Sequence, residues 1–303
     1  MSAPFTIDSF EGYLDTVRNE LPPNIHKYFR GQNKLASQGW PLKPSIGRYE
    51  SLSKLSFYER EKRERDVLGV FANHLVTYVQ HLPRNDWEAL AIAQHHGLPT
   101  RFMDWTTNPL VALYFAARDT QKNDERQLVD GAVYVLTSEP RRLRDWAEAQ
   151  EEEVAPVSDS ATTPAEPESA YGSFGVDDLS EDTEKSANAP ASTIADPDRI
   201  RGMQKRSAAD LPSPFEISEN VIYDPPHVSQ RIRAQDGVLL ACYQPLEALD
   251  ERDYIEIIIT CKAHDDIRRR LDQYGVFDKQ LFPGLDGIAN WLKYRVFEIE
   301  GRC

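Results

Sequence analysis

Apolar positions along the chain alternate between helical and strand spacing. Ile7, Phe10, Tyr13, Leu14 and Val17 share one helical face, which predicts a helix over Ile7–Leu21, with Asp8 or Ser9 as cap and Pro22-Pro23 as stop. Tyr28 to Gln32 reads as a short strand. Leu55 to Leu82 reads as a long helix, charged early and apolar later. Trp87 to His96 is a helix closed by Gly97, and Asn108-Pro109 opens another through Leu110, Val111, Leu113, Tyr114 and Phe115. Gly131 to Thr137, Gly237 to Tyr243 and Tyr254 to Thr260 read as strands, and Ala263 to Tyr274 as a helix ended by Gly275. Leu285 to Tyr294 predicts a last helix, and Val296 to Ile299 reads as a strand after it. The fold class expected is α+β, without a βαβ repeat. The glycine-rich phosphate loops GxGxxG and GxxxxGK[ST] are absent from the sequence, which excludes the dinucleotide and P-loop folds that need them.

The stretch between about residues 150 and 210 breaks this pattern. It is rich in Ala, Ser, Pro, Asp and Glu, with too little apolar surface to offset the entropy of ordering it. It reads as one disordered acidic insertion that splits a single domain, 1–149 and 211–303, because the 93 residues after it are too few to supply partners for their own strands. Charge follows the same division. The chain carries 35 basic and 49 acidic residues, a net −14. Residues 151–198 hold 13 acids against Lys185 alone, leaving about −2 for the rest. The low isoelectric point therefore says nothing about the folded part, which neither demands nor excludes a polyanionic partner.

No apolar run reaches bilayer length, the richest being Leu110 to Ala117, and the first residues lack a signal-peptide pattern. Cys242, Cys261 and Cys303 are an odd number without CxxC spacing, read as free thiols of a cytoplasmic protein. No membrane association is expected, and the composition does not set an oligomeric state.

Site-forming residues concentrate in 93–108, where His95, His96, Thr100, Arg101, Asp104, Thr106, Thr107 and Asn108 crowd between two helices. The bland reading makes Asp104 and Asn108 caps, pairs Arg101 with Asp104, and lets the histidines end their helix. Adjacent histidines point apart on a helix, so no metal is expected there. Arg60 to Arg65 and Arg268 to Arg270, interleaved with or beside acids, read as solvated helix faces. Trp291, Phe277, Leu281, Phe282 and Leu285 read as packing for the C-terminal helix.

Five ordered blocks carry a resemblance. They are Phe29-Arg30-Gly31-Gln32, the run Ala93-Gln94-His95-His96-Gly97-Leu98-Pro99-Thr100-Arg101, Asp104-Trp105-Thr106 with Asn108 to Ala116, the block Ser229 to Gly237, and Leu281 to Gly287. Together they resemble the FRG domain family over about residues 25 to 295. A weaker resemblance is to ADP-ribosyltransferases of the Arg-Ser-Glu type, in which an aromatic-Arg-Gly strand end holds the phosphates of NAD. It implies a transferase-like mixed core with flanking helices, NAD as substrate and an unidentified acceptor macromolecule. In that likeness Gln235 stands at a catalytic position, and Arg30, Gly31, Arg101, Thr106 and Tyr114 face the nucleotide. The catalytic carboxylate is left unassigned, with Asp104 the first candidate and Asp236 the next. His95, titrating near neutrality, is the candidate general base. A toxin or phage-defence effector is the setting this implies. The sequence departs from that pattern in lacking Glu-x-Glu or Gln-x-Glu near Gln235 and in replacing the middle Ser-Thr-Ser triplet. Two other readings stand beside it: a non-enzymatic nucleotide- or nucleic-acid-binding module, and a protein-interaction subunit.

Overall fold

A computed structural model describes residues 4–23, 27–79, 82–119, 122–123, 126–154, 211–225 and 230–299. Seven strands form one mixed sheet in the order β1-β7-β4-β2-β3-β6-β5. They are β1 (Phe5–Ile7), β2 (Tyr28–Gln32), β3 (Phe102–Thr106), β4 (Gly131–Leu136), β5 (Val221–Tyr223), β6 (Gly237–Ala241) and β7 (Tyr254–Ile259). Every pair is antiparallel except β1 with β7. Strands from both sides of the acidic stretch thus interleave in one sheet. The helices are α1 (Phe10–Asn19), α2 (Glu50–Ser53), α3 (Phe57–Tyr78), α4 (Asp86–His95), α5 (Pro109–Ala117), α6 (Leu143–Val154), α7 (Gln230–Ala234), α8 (His264–Gln273), α9 (Asp278–Leu281) and α10 (Leu285–Leu292).

One face of the sheet is covered by helices in two groups. Phe29, Val133, Val135, Ile257 and Ile259 meet α1, α5 and α8, while Phe102, Leu239, Ala241 and Val221 meet α3, α4 and α6 through Leu68, Trp87 and Trp146. The reverse face, with Tyr28, Met103, Trp105, Tyr134, Leu136 and Leu240, packs against Leu35 and Leu42 of the largely irregular stretch 33–49. All six residues of β4 are buried, as a strand covered on both faces requires. The α5 helix lies unusually close. A Cβ added to Gly31 would run into the Ala112 carbonyl, and one added to Gly131 into that of Ala116. Tyr13 Oη donates to Pro109 O at 2.8 Å, tying α1 to the start of α5.

Local signals account for most elements. Ser9 accepts from Gly12 N at 3.3 Å, Ser56 and Glu59 form a capping box, and Asn108 accepts from Leu110 N at 3.0 Å. Gly97 and Gly275 end α4 and α8 at φ of 84° and 82°. Four expectations need correction. Ile7 belongs to β1, where its parallel pairing with Ile259 outweighs the helical spacing. Residues 102–106, read only as part of a polar crowd between two helices, form a strand. The helix α6 runs through Val154, into the stretch read as insertion, while 155–210 lie outside the described residues, and so does the reading of that segment as disordered. Residues 293–299 continue helically as a π-type turn instead of forming a strand. Among the described residues no helix is long and apolar enough to cross a membrane.

Gly31→Ala should therefore destabilise the protein by about 2–3 kcal/mol, because the three atoms in conflict all belong to backbone that cannot rotate away. Gly69→Ala, in open space on α3, should stabilise it by about 0.5–1 kcal/mol. Urea unfolding of the two variants checks the contrast.

Candidate functional site

The strands β2 and β3 share a single register pair, Phe29 with Thr106, whereas β2–β4 and β3–β6 each pair over five residues. Beyond that pair they part. Arg30 fills the seam. Its Nη1 donates to the Asp104 carbonyl and lies 3.9 Å from Asp104 Oδ2. The guanidinium thus takes the place of the missing ladder, and burial pushes its pKa down from the ordinary arginine value.

Asp104 points from β3 onto the helix-covered face, yet its side chain is 64 % exposed. Gln94 Nε2 on α4 donates to its Oδ2 at 3.0 Å, and Gln94 Oε1 accepts from Thr100 Oγ1 at 2.6 Å. His95, half-buried at the end of α4, sees the Asp104 charge, with His96 edge-on to it at 4.9 Å. Desolvation lowers its pKa first, helped by His96 and by Arg231 on α7. Arg231 feels Asp104 in turn and lies over the Phe282 ring at 4.8 Å, with Arg118 over the same ring at 4.6 Å. One exposed carboxylate thus bonds Gln94, lies 3.9 Å from Arg30 and acts electrostatically on Arg231 and His95.

The other expected site residues are placed differently. Thr106 Oγ1 donates to the Gln235 carbonyl at 2.7 Å and accepts from Asn108 N at 3.0 Å, so it pins the end of α7 to β3. Gln235 turns its side chain away, Nε2 donating to Leu281 O at 3.0 Å. Gly31 is a packing position under α5. Tyr114 is buried, with its ring 6.5 Å from Phe282, and burial raises its hydroxyl pKa. Arg101 does not pair with Asp104. It is 4 % exposed, donates to both Glu64 oxygens at 3.0 and 3.1 Å and to Pro214 O at 3.0 Å, and lies over Phe215. A guanidinium so engaged joins α3 to the chain after residue 211 and is not open to a ligand. A cavity of about 370 Å³ opens beside that ion pair, between Phe57, Arg60, Tyr243 and Leu246. It is separate from the Asp104 cluster.

Sequence reasoning missed Arg231, Arg118 and Phe282. The signal available was the pair Arg231 and Phe282, each inside a quoted block yet assigned no chemistry. Leu285, read as packing, is 84 % exposed. Among the described residues no group of three or more His, Cys, Asp or Glu could hold a metal ion.

Residues 26–125 match the model of the FRG domain. The chain carries an FRG domain. The matched stretch is shorter than the 25–295 suggested by the five blocks. It contains Arg30, Gln94, His95, Asp104 and Tyr114, while Arg231, Gln235 and Phe282 lie beyond it. No curated protein and no solved structure matches the chain significantly.

Glu64→Gln should cost about 3–5 kcal/mol, since it strands a buried arginine, and a denaturant melt measures this directly. A second expectation concerns pH. His95 and His264 are both held below the ordinary histidine pKa, chiefly by burial. The folded state then binds fewer protons than the unfolded one below about pH 6.5, so stability falls as pH drops below that value and is level above it. Melting temperatures between pH 7.5 and 5 should show the decline, and His95→Asn should remove part of it.

Proposed function

We propose that the FRG domain and the elements packed on it bind NAD at the Asp104 cluster and cleave it in the manner of an ADP-ribosyltransferase. The observation that supports this reading is the exposed Asp104 carboxylate facing two arginines and a histidine at the parted β2–β3 seam. Guanidinium groups grip phosphate oxygens through paired N–H donors. Arg30 and Arg231 would hold the pyrophosphate, with Arg118 adding positive charge across Phe282. Asp104 would accept a hydrogen bond from a ribose hydroxyl and stabilise the ribosyl cation. The glycosidic C–N bond breaks with its electron pair leaving on nicotinamide. A lone pair of the acceptor forms the new bond to the anomeric carbon, and the acceptor's proton passes to His95, which its lowered pKa keeps neutral near pH 7. The Thr106–Gln235 hydrogen bond serves this arrangement by holding α7, and so Arg231, against β3.

Incubation with NAD, following nicotinamide release by chromatography and binding by calorimetry, tests the reading. The wild-type protein should release nicotinamide. Asp104→Asn should slow release by about 100-fold or more while binding persists. Arg231→Ala should weaken binding by about 10- to 100-fold. Binding without release would leave a non-enzymatic nucleotide module, and no binding would overturn the proposal.

A further inference from the structure

The reverse face of the sheet carries a row of polar groups of which the reading above uses only Arg30. Register sets Arg30 beside Tyr134 and Tyr134 beside Glu256, and Trp105 flanks Arg30 across the seam. The row crosses four adjacent strands: β3, β2, β4 and β7. Among the described residues, Trp105 Nε1, Arg30 Nε and Glu256 Oε1 are buried without a hydrogen-bond partner. So is Gln32 Oε1, two residues along β2 on the same face. Half of the eight such atoms among the described residues fall in this patch. Trp105 and Gln32 are only 2 % and 6 % exposed. Their neighbours Tyr28, Met103, Ala132, Leu136 and Leu240 belong to an apolar core, where polar atoms are ordinarily satisfied.

We infer that this row is a second ligand site, for a sugar phosphate, on the face opposite the Asp104 cluster and sharing only Arg30 with it. The donors lead to that class. The Arg30 Nε–H and Trp105 Nε1–H lie on adjacent strands, on the same face of the seam, and suit two oxygens of one phosphate. The acceptors complete it. Gln32 Oε1 and Glu256 Oε1 need O–H or N–H donors, which a free phosphate at neutral pH supplies poorly and a short hydroxylated carbon chain supplies well. The stretch 33–49 covers the row and leans on it lightly: Ala36 N donates to Tyr134 Oη at 3.2 Å and Gln32 Nε2 to Trp40 O at 3.4 Å. Trp40, with Arg48 at 4.0 Å over its ring, stands partly exposed at the outer edge of this cover. Entry of the ligand exchanges those two contacts for bonds to the sugar phosphate.

Ribose 5-phosphate and inorganic phosphate, titrated calorimetrically into the full chain, are the probes. Wild type should bind ribose 5-phosphate more tightly than phosphate. Trp105→Phe, which keeps the ring and deletes the N–H, should weaken ribose 5-phosphate binding roughly 10- to 100-fold while the melting temperature of the free protein holds or rises. Gln32→Met should weaken ribose 5-phosphate and leave phosphate unchanged, giving an independent arm if the first variant misfolds. Arg231→Ala, on the other face, should leave ribose 5-phosphate binding as it was. A wild type that binds ribose 5-phosphate but releases no nicotinamide from NAD would count against the earlier reading and not this one. The inference is overturned if wild type binds no ribose 5-phosphate, or if the two probes bind equally. It is also overturned if Trp105→Phe lowers the melting temperature without touching affinity, the signature of an indole bonded to ordered water.

Discussion

The backbone of α5 rests on the backbone of β2 and β4 without side chains between them. Only glycine at 31 and 131 permits that contact. With α5 set so low, its first turn reaches Tyr13 on α1 and its capping Asn108 meets Asp236, just before β6, at 3.1 Å. The helix thereby fastens both ends of the sheet around itself. The Arg-Gly pair of the FRG block divides its labour accordingly. The glycine admits the helix on one face, and the arginine occupies the opposite face and the seam.

That seam is where strand pairing stops and side-chain chemistry begins. In an unbroken ladder the Asp104 carbonyl would meet a backbone N–H; here it meets a guanidinium. The exchange leaves a cation between the two sheet faces, in touch with an exposed carboxylate on one and with buried, unpartnered groups on the other. Both proposed ligand sites draw on this one departure from regular pairing.

How far these features can be read from sequence depends on the range of the interaction involved. The caps of α4 and α5 and the strands β2, β4, β6 and β7 follow from signals within a few residues. The strand β3 does not, because Phe102, Met103 and Trp105 are apolar on both faces while Asp104 and its polar neighbours look like a loop. Ile7 has helical spacing but answers to Ile259, 252 positions away. The pairing of Arg101 with Glu64 was equally hidden, since Glu64 lies in a stretch whose charges look solvated and Arg101 has Asp104 as a nearer partner in sequence. In the candidate site Arg30, Asp104 and His95 were legible as residue types in a dense block. Arg231 and Phe282 gain meaning only when α7 and α9 fold back beside them.

The position of β7 has a bearing on how the chain is made. It lies between β1 and β4, so one of the last strands synthesised separates two of the earlier ones. Until residue 259 has emerged, β1 has no partner and β4 shows an open edge, the kind of surface that recruits other strands. The sheet must therefore wait until residue 259 has been made, and pairings of such long sequence separation close slowly. A nascent or truncated chain would hold Arg30 and Asp104 without the sheet that aligns them. Assembly of the site thus follows the synthesis of β7, an order set by topology alone.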